Sequence, residues 1–339
     1  GAGGGSVGWR DPGGALQVGP RSAGADPGPA CYGRGGAEPT VTDANLLLGY
    51  LATDSRLAGG VALEIDAARA AVGGLAGSLG LGELEAAEGI VRIANQGMAR
   101  ALRVVTVERG IDPRRFALMP FGGAGPMHAA AIAAELGIET ILCPRAGGVL
   151  SALGLCASER RRDTARTVML SGEDLSAERI AREVEELIAR AGRGLSGARA
   201  EASYEMRYRG QAFELTVAGA IDPDPADLAE RFAAAHEERY GYRDDEGEVE
   251  LVDIRVAMIV PGPQLQPSAA TSADLEESSR PARFDGAWLD SGVLRGEPAA
   301  GTKVEGPAIF ELPEATLVLP PNWRAEVDKA GTIKAEAGP

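Results

Sequence analysis

The sequence is poor in four kinds of residue, and each shortage excludes something. Histidine occurs twice, at His128 and His236, far apart in the chain, so a histidine-rich metal site is excluded and no metal ligand set is assigned. Cysteine occurs three times, at Cys31, Cys143 and Cys156, an odd number without C-x-x-C spacing. Neither a disulfide framework nor a zinc cluster follows, and a reducing cytoplasm is the simplest setting. Aromatic residues are 4% of the chain against 45% hydrophobic residues in all, so the core is expected to be aliphatic and alanine-rich. Lysine is almost absent; nearly all the positive charge is arginine, which reads as a coding bias and not as a site. No apolar run reaches the ~18 to 20 residues of a membrane span.

What is present bounds the rest. The 339 residues suggest about two domains. Acidic residues outnumber basic ones 49 to 34, for a net charge of −15. That balance argues against nucleic acid as a main partner, because a phosphate backbone needs a basic face. The acidity serves solubility.

Residues 1–40 are dense in glycine and proline yet carry Trp9, Val18, Cys31 and Tyr32. They read as two short strands, Ser6–Arg10 and Leu16–Gly19, and an irregular ordered loop. A helix over Ala44–Leu51 follows, capped by Thr42 or Asp43. Asp66–Leu79 is a glycine-containing helix of poor propensity. In Glu83–Glu108, Leu84, Ala87, Val91, Ala94, Met98, Ala101, Leu102 and Val105 keep the spacing of a buried helical stripe. Phe116–Phe121 reads as a strand, Gly122-Gly123-Ala124-Gly125 as a turn, and Pro126 opens a helix. Ile138–Cys143 is a second strand and Gly147–Ala157 a short apolar helix, giving one βαβα run. Arg160, Arg161, Arg162 and Arg166 read as a solvated exit or as a contact for a partner or phosphate. Beyond residue 170 the reading is helix (Ala177–Arg199), strand pair (Glu201–Val217), helix (Ala226–Tyr240) and strand (Val249–Val260). A Pro/Ser-rich loop over Pro261–Ser279 precedes short strands.

A strand, a glycine turn and a helix N-terminus form a common cradle for a nucleotide, and equally a plain tight connection. Asp43 is either a helix cap or a carboxylate facing a phosphate-bound metal or acting as a base. His128, in the first turn after the glycines, either contacts bound phosphate or packs. His236 reads as structural, Asp26 as a turn former. Cys31 lacks the neighbours of a nucleophile. No G-x-S-x-G, Walker or H-E-x-x-H string occurs.

Several strings together resemble the hydantoinase A / 5-oxoprolinase family, which includes N-methylhydantoinase A and the acetone carboxylase β subunit. In the first half they are GAGGGS (Gly1–Ser6), GPRSAGADPGPACYGRGG (Gly19–Gly36), PTVTDANLLLG (Pro39–Gly49), FGGAGPMHAAAIAAELGI (Phe121–Ile138) and GVLSALGL (Gly148–Leu155). In the second half YRGQAFEL (Tyr208–Leu215), HEERYGY (His236–Tyr242), GPAIFE (Gly306–Glu311) and PPNWRAEVD (Pro320–Asp328) match as well. The resemblance implies an α/β plus α+β chain. Residues 1–168 would form a partial actin/hexokinase/Hsp70-like (RNase H-like) lobe, and residues 169–339 a mixed α+β C-terminal domain. It implies ATP and Mg2+, with Gly122, Gly123, Ala124 and Gly125 on the adenosine side, Gly4, Gly5 and Ser6 also at the cofactor, and Asp43 and His128 as catalytic candidates. Val149–Leu155 would be a small-residue helix on which two lobes pack and hinge. The implied activity is ATP-dependent opening of a small cyclic amide, or carboxylation of a ketone, after phosphorylation of the substrate carbonyl. The implied partner is a hydantoinase B-type subunit; a homo-oligomer is left open.

One departure stands out. Family members carry acidic-Gly-Gly-Thr phosphate loops, and no D-x-G-G-T string occurs in the 339 residues. The expectation is the C-terminal portion of a longer polypeptide, or a natural truncation, inactive alone.

Overall fold

The structure, a computed structural model, describes residues 3–54, 62–264 and 275–338. In chain order they form β1 (Ser6–Arg10), β2 (Leu16–Ser22), α1 (Val41–Leu47), α2 (Ile65–Leu79), α3 (Glu83–Val105), α4 (Gly125–Leu136), β3 (Thr140–Cys143), α5 (Leu150–Ala157), β4 (Arg160–Ser171), α6 (Ala177–Ala191), β5 (Arg199–Tyr208), β6 (Leu215–Gly219), α7 (Pro225–Tyr240) and β7 (Val249–Val260). The chain ends in strands: β8 (Glu276–Phe284), β9 (Ala287–Arg295), β10 (Lys303–Glu305), β11 (Ala308–Glu311), β12 (Thr316–Leu319), β13 (Trp323–Val327) and β14 (Ile333–Ala337). They divide into two compact units, one of Gly1–Leu153 with Gln266–Pro339, the other Gly154–Leu265.

In the first unit β1 and β2 pair as an antiparallel hairpin, as expected from the sequence. Helices α1, α2 and α3 bury an aliphatic core in which Val41, Ala44, Leu48, Ala87, Ile90 and Ala94 meet. Ala87, Ile90 and Ala94 lie three and four residues apart, so one face of α3 is apolar and turns inward. Two four-stranded sheets follow, in the orders β10-β13-β14-β3 and β12-β11-β9-β8. All their pairings are antiparallel except β9 with β11. The alanines of α4 (Ala129, Ala130, Ala133) let that helix approach the strands closely, and they share a core with Ile141, Phe310 and Leu317.

The second unit is an antiparallel sheet, β4-β7-β5-β6, with α6 and α7 packed on it. Ile180, Val184, Leu187 and Ala191 of α6 and Leu228 and Phe232 of α7 face Tyr204, Met206, Leu251 and Ile254 of the strands. His236 is buried among aromatic rings; its Nδ1 lies 3.0 Å from the Tyr242 carbonyl and its Nε2 3.1 Å from the Gln211 amide. Its role here is structural.

The mixed α/β character expected from the sequence is found; several local readings are corrected. Phe116–Phe121 is not a strand. Leu118 alone bridges to Ile141, because Pro120 lacks an N–H and, among the described residues, no strand pairs with the segment on its outer side. Arg160, Arg161, Arg162 and Arg166, read as a solvated exit, stand instead on a twelve-residue strand, where Arg161 pairs with Asp163 and Arg166 reaches Glu183 of α6. Within Pro261–Ser279, residues 265–274 lie outside the described residues, and from Glu276 the chain is already β8, an edge strand that accommodates Pro281. β14 pairs with β3, which brings residues 266–339 into the first compact unit.

Candidate functional site

A cavity of about 710 Å3 opens in the first unit where segments distant in sequence converge. Gly4 and Gly5 come from the approach to β1, Gly123 and Ala124 from the entry to α4, Leu312–Thr316 from the turn between β11 and β12. Close backbone approach explains the glycines. A Cβ on Gly4 would stand 2.6 Å from the Thr42 hydroxyl, and one on Gly148 would stand 2.4 Å from Glu314 Cβ. Gly122 takes φ of +80°, a left-handed value that a side chain disfavours, and donates its N–H to Gly147 O at 2.8 Å. Gly123 O accepts the Thr316 N–H at 3.3 Å, tying the β11–β12 turn to the glycine corner.

Helix α4 begins at Gly125, with Pro126 in its first turn and no side-chain cap. Among the described residues the N–H groups of Gly123, Ala124 and Gly125 carry no hydrogen bond. A helix N-terminus with free N–H groups carries partial positive charge and suits an electron-rich ligand.

Of the residues expected at a cofactor, the structure brings Gly4, Gly5, Gly123 and Ala124 to one cavity. Gly122 and Gly125 flank that corner. Ser6 is buried in β1 and does not line it. Neither catalytic candidate lines it either. Asp43 is fully buried at the third position of α1, and the cap itself is Thr40, not Thr42. Its Oδ1 accepts from Cys31 N–H (2.7 Å); its Oδ2 accepts from Thr40 N–H (2.8 Å), Thr40 Oγ1 (2.7 Å) and Ala30 N–H (3.3 Å). With four donors on two oxygens, the carboxylate closes a capping box and pins the 29–33 loop. Burial, helped by the Asp43 charge, pushes the Cys31 thiol far up, so it is no nucleophile.

His128 is buried, and its Nδ1 lies 2.7 Å from Asn95 Oδ1. Because that oxygen accepts, Nδ1 carries the proton, and Nε2 has no partner among the described residues. Burial holds the imidazole down to about 4, so it is neutral at pH 7.

Sequence reasoning missed the charged wall. Glu311, nearly buried, is bridged by Arg280 (2.5 Å) and Arg295 (2.8 Å), and Arg295 also pairs with Asp54 (3.2 Å). Glu314, in the same cavity lining, forms no salt bridge among the described residues. The string GPAIFE pointed at this region without showing that it reaches the glycine corner. No group of three potential metal ligands occurs among the described residues, and no helix among them is long and apolar enough to cross a membrane.

The sequence family described as Hydantoinase/oxoprolinase matches residues 1–164, and the Hydantoinase/oxoprolinase C-terminal domain matches residues 175–336. The chain belongs to the hydantoinase/oxoprolinase family. It is 37% identical to the caprolactamase subunit alpha of Pseudomonas jessenii over all of this chain and 52% of that one. It is 33% identical to 5-oxoprolinase 1 of Arabidopsis thaliana over 96% of this chain and 28% of that one. The crystal structure of the ATP-dependent caprolactamase superposes with a TM-score of 0.69 at 36% identity, and nucleotide-free acetone carboxylase with 0.84 at 26%; each covers 99% of this chain and 52% of the other. The chain thus spans about half the length of the caprolactamase subunit and less of the oxoprolinase.

Proposed function

We propose that this chain is part of an ATP-dependent hydrolase of cyclic amides, with the glycine corner as one wall of its nucleotide site. The observation that carries the reading is the cavity itself: the backbone of two glycine loops and the free N–H groups at the start of α4 line one space. The ATP-dependent caprolactamase supports the class.

The residues present fit the nucleotide's base and sugar better than its phosphates. The lining holds Asp54, Glu311 and Glu314 against one arginine, Arg295, which Asp54, Glu276 and Glu311 already share. Phosphate charge would need cations or phosphate loops from elsewhere. Glu314, which forms no ion pair among the described residues, is the carboxylate that would face Mg2+. ATP, when bound, supplies the phosphoryl group that turns a carbonyl oxygen into a leaving group. Gly123 and Ala124 would orient the nucleotide, and the Thr316–Gly123 bond would hold the β11–β12 turn against it.

On this reading the 339-residue chain binds ATP weakly and turns nothing over. Titration calorimetry with Mg-ATP, together with phosphate release in the presence of 5-oxoproline, a hydantoin or a lactam, tests it. Robust hydrolysis of ATP by this chain alone would overturn the dependence on a second part.

The acetone carboxylase superposition favours a second reading, ATP-dependent carboxylation of a small ketone. Bicarbonate-dependent consumption of ATP with a ketone, and none with cyclic amides, would select it. In either case a second subunit of the hydantoinase B type is the expected partner.

A further inference from the structure

A second cavity, of about 460 Å3, lies in the first unit beside the glycine-lined one. Its volume falls within the ~300–1,000 Å3 of small-molecule sites. Leu46, Leu47 and Leu51, at and beyond the end of α1, and Ile65, at the start of α2, line one side. The other side is one end of the sheet β12-β11-β9-β8. There Ser278 of β8 stands opposite Val293 of β9, and Arg295 of β9 stands between Glu276 of β8 and Glu311 of β11. Opposite residues of paired strands share a face, and residues two apart stay on it, so Ser278, Arg280, Val293 and Arg295 turn to the same side. The loop after α1 is tied to this face. Arg280 donates from Nε to the Gly49 carbonyl (2.8 Å) and from Nη2 to the Tyr50 carbonyl (3.1 Å).

The charges here neutralise one another. Besides those carbonyls, Arg280 holds Glu311 at 2.5 Å. Arg295 holds Glu311 (2.8 Å), Asp54 (3.2 Å) and Glu276 (3.9 Å). Two guanidinium groups are thus shared among three carboxylates. An anion entering the cavity would lose hydration and find no uncommitted cation in return, whereas a neutral molecule meets no such penalty. The hydroxyls of Thr53, Ser278 and Ser279 border the space and carry no hydrogen bond among the described residues, so each can donate or accept. Aliphatic walls with hydroxyls at the rim suit a small ring that carries a C=O and an N–H on one edge.

We propose that this second cavity holds the neutral ring of a cyclic amide. The proposal rests on the nucleotide reading of the first cavity and goes beyond it by choosing a substrate class. A lactam or a hydantoin fits; 5-oxoproline, whose carboxylate is ionised at pH 7, does not. Leu51, Asp54 and Arg295 border both cavities, so the ring lies across a shared wall from the nucleotide.

The test titrates the 339-residue chain, without ATP, with ε-caprolactam and separately with 5-oxoproline, and follows its amide and indole N–H resonances by NMR. ε-Caprolactam is expected to shift Ser278, Val293 and the indole of Trp288, which also borders the cavity, and to saturate at about millimolar concentration. 5-Oxoproline should bind at least about tenfold more weakly. Ser278→Tyr and Thr53→Tyr, both at exposed positions, fill the space and should each weaken ε-caprolactam at least about tenfold while keeping the parent circular dichroism. Lys303→Tyr, exposed on β10, should bind as the parent does. The proposal is overturned by the absence of a saturable shift, by shifts centred on Gly123 and Ala124, or by equal binding of 5-oxoproline. Binding of ε-caprolactam by a chain that takes up no Mg-ATP would remove the nucleotide reading and leave the ring site standing.

Discussion

At His128, burial sets both charge and stability. The folded chain holds this imidazole down to about 4, against 6.5 when unburied. Between those values the unfolded chain binds a proton that the folded chain does not, so stability rises with pH through that window and falls as pH drops from about 6.5 toward 4. The loss should approach about 3 kcal/mol on acidification from pH 7 to pH 4. His128→Gln should flatten that part of the curve in urea unfolding followed across pH; an unchanged pH profile would refute the assignment. Asp43 makes a different prediction. Asp43→Ala strands the donors at Cys31 and Thr40, and should cost about 3 kcal/mol of stability in thermal or urea unfolding. A variant of parent stability would refute the capping role.

Among the elements, the β11–β12 turn decides whether the cavity keeps its shape. Its Glu314 packs where a side chain on Gly148 would stand, 2.4 Å away, and its Thr316 binds Gly123. Gly148→Val should therefore push the turn outward, costing about 1–3 kcal/mol, and should weaken any nucleotide binding measured by calorimetry while leaving the second unit's melting unchanged. How far the elements could be read from the sequence depended on how local their cause is. The stripe of α3 and the proline-opened start of α4 were legible because spacing and capping are local. Strand β4 was not, because its arginines read as a solvated run and only pairing with β7 makes them a strand face. The same division holds at the site. Gly123 and Ala124 announce themselves by a turn, whereas Arg295 and Glu314 reach the cavity only through the pairing of β9, β11 and β12.

For the whole molecule, the two units predict how the chain can be cut. Residues 1–168 lack β14 and all of β8–β13, so β3 loses its sheet and α4 loses its floor. That piece should show no cooperative unfolding transition by calorimetry. Residues 154–265 keep the β4-β7-β5-β6 sheet with both its helices and should fold alone, with a single sigmoidal melt. A cooperative melt from the 1–168 piece would remove the case for the first unit as drawn.

The antiparallel register of Ile333 with Cys143 also has a bearing on synthesis. As the chain leaves the ribosome, β3 emerges early and must wait for β14, with only Leu118 beside it, while the whole second unit is made and can fold ahead of it. Throughout that interval its bare edge is open to wrong neighbours, so growing chains of this protein should be frequent clients of holding chaperones until Ile333–Ala337 has been translated.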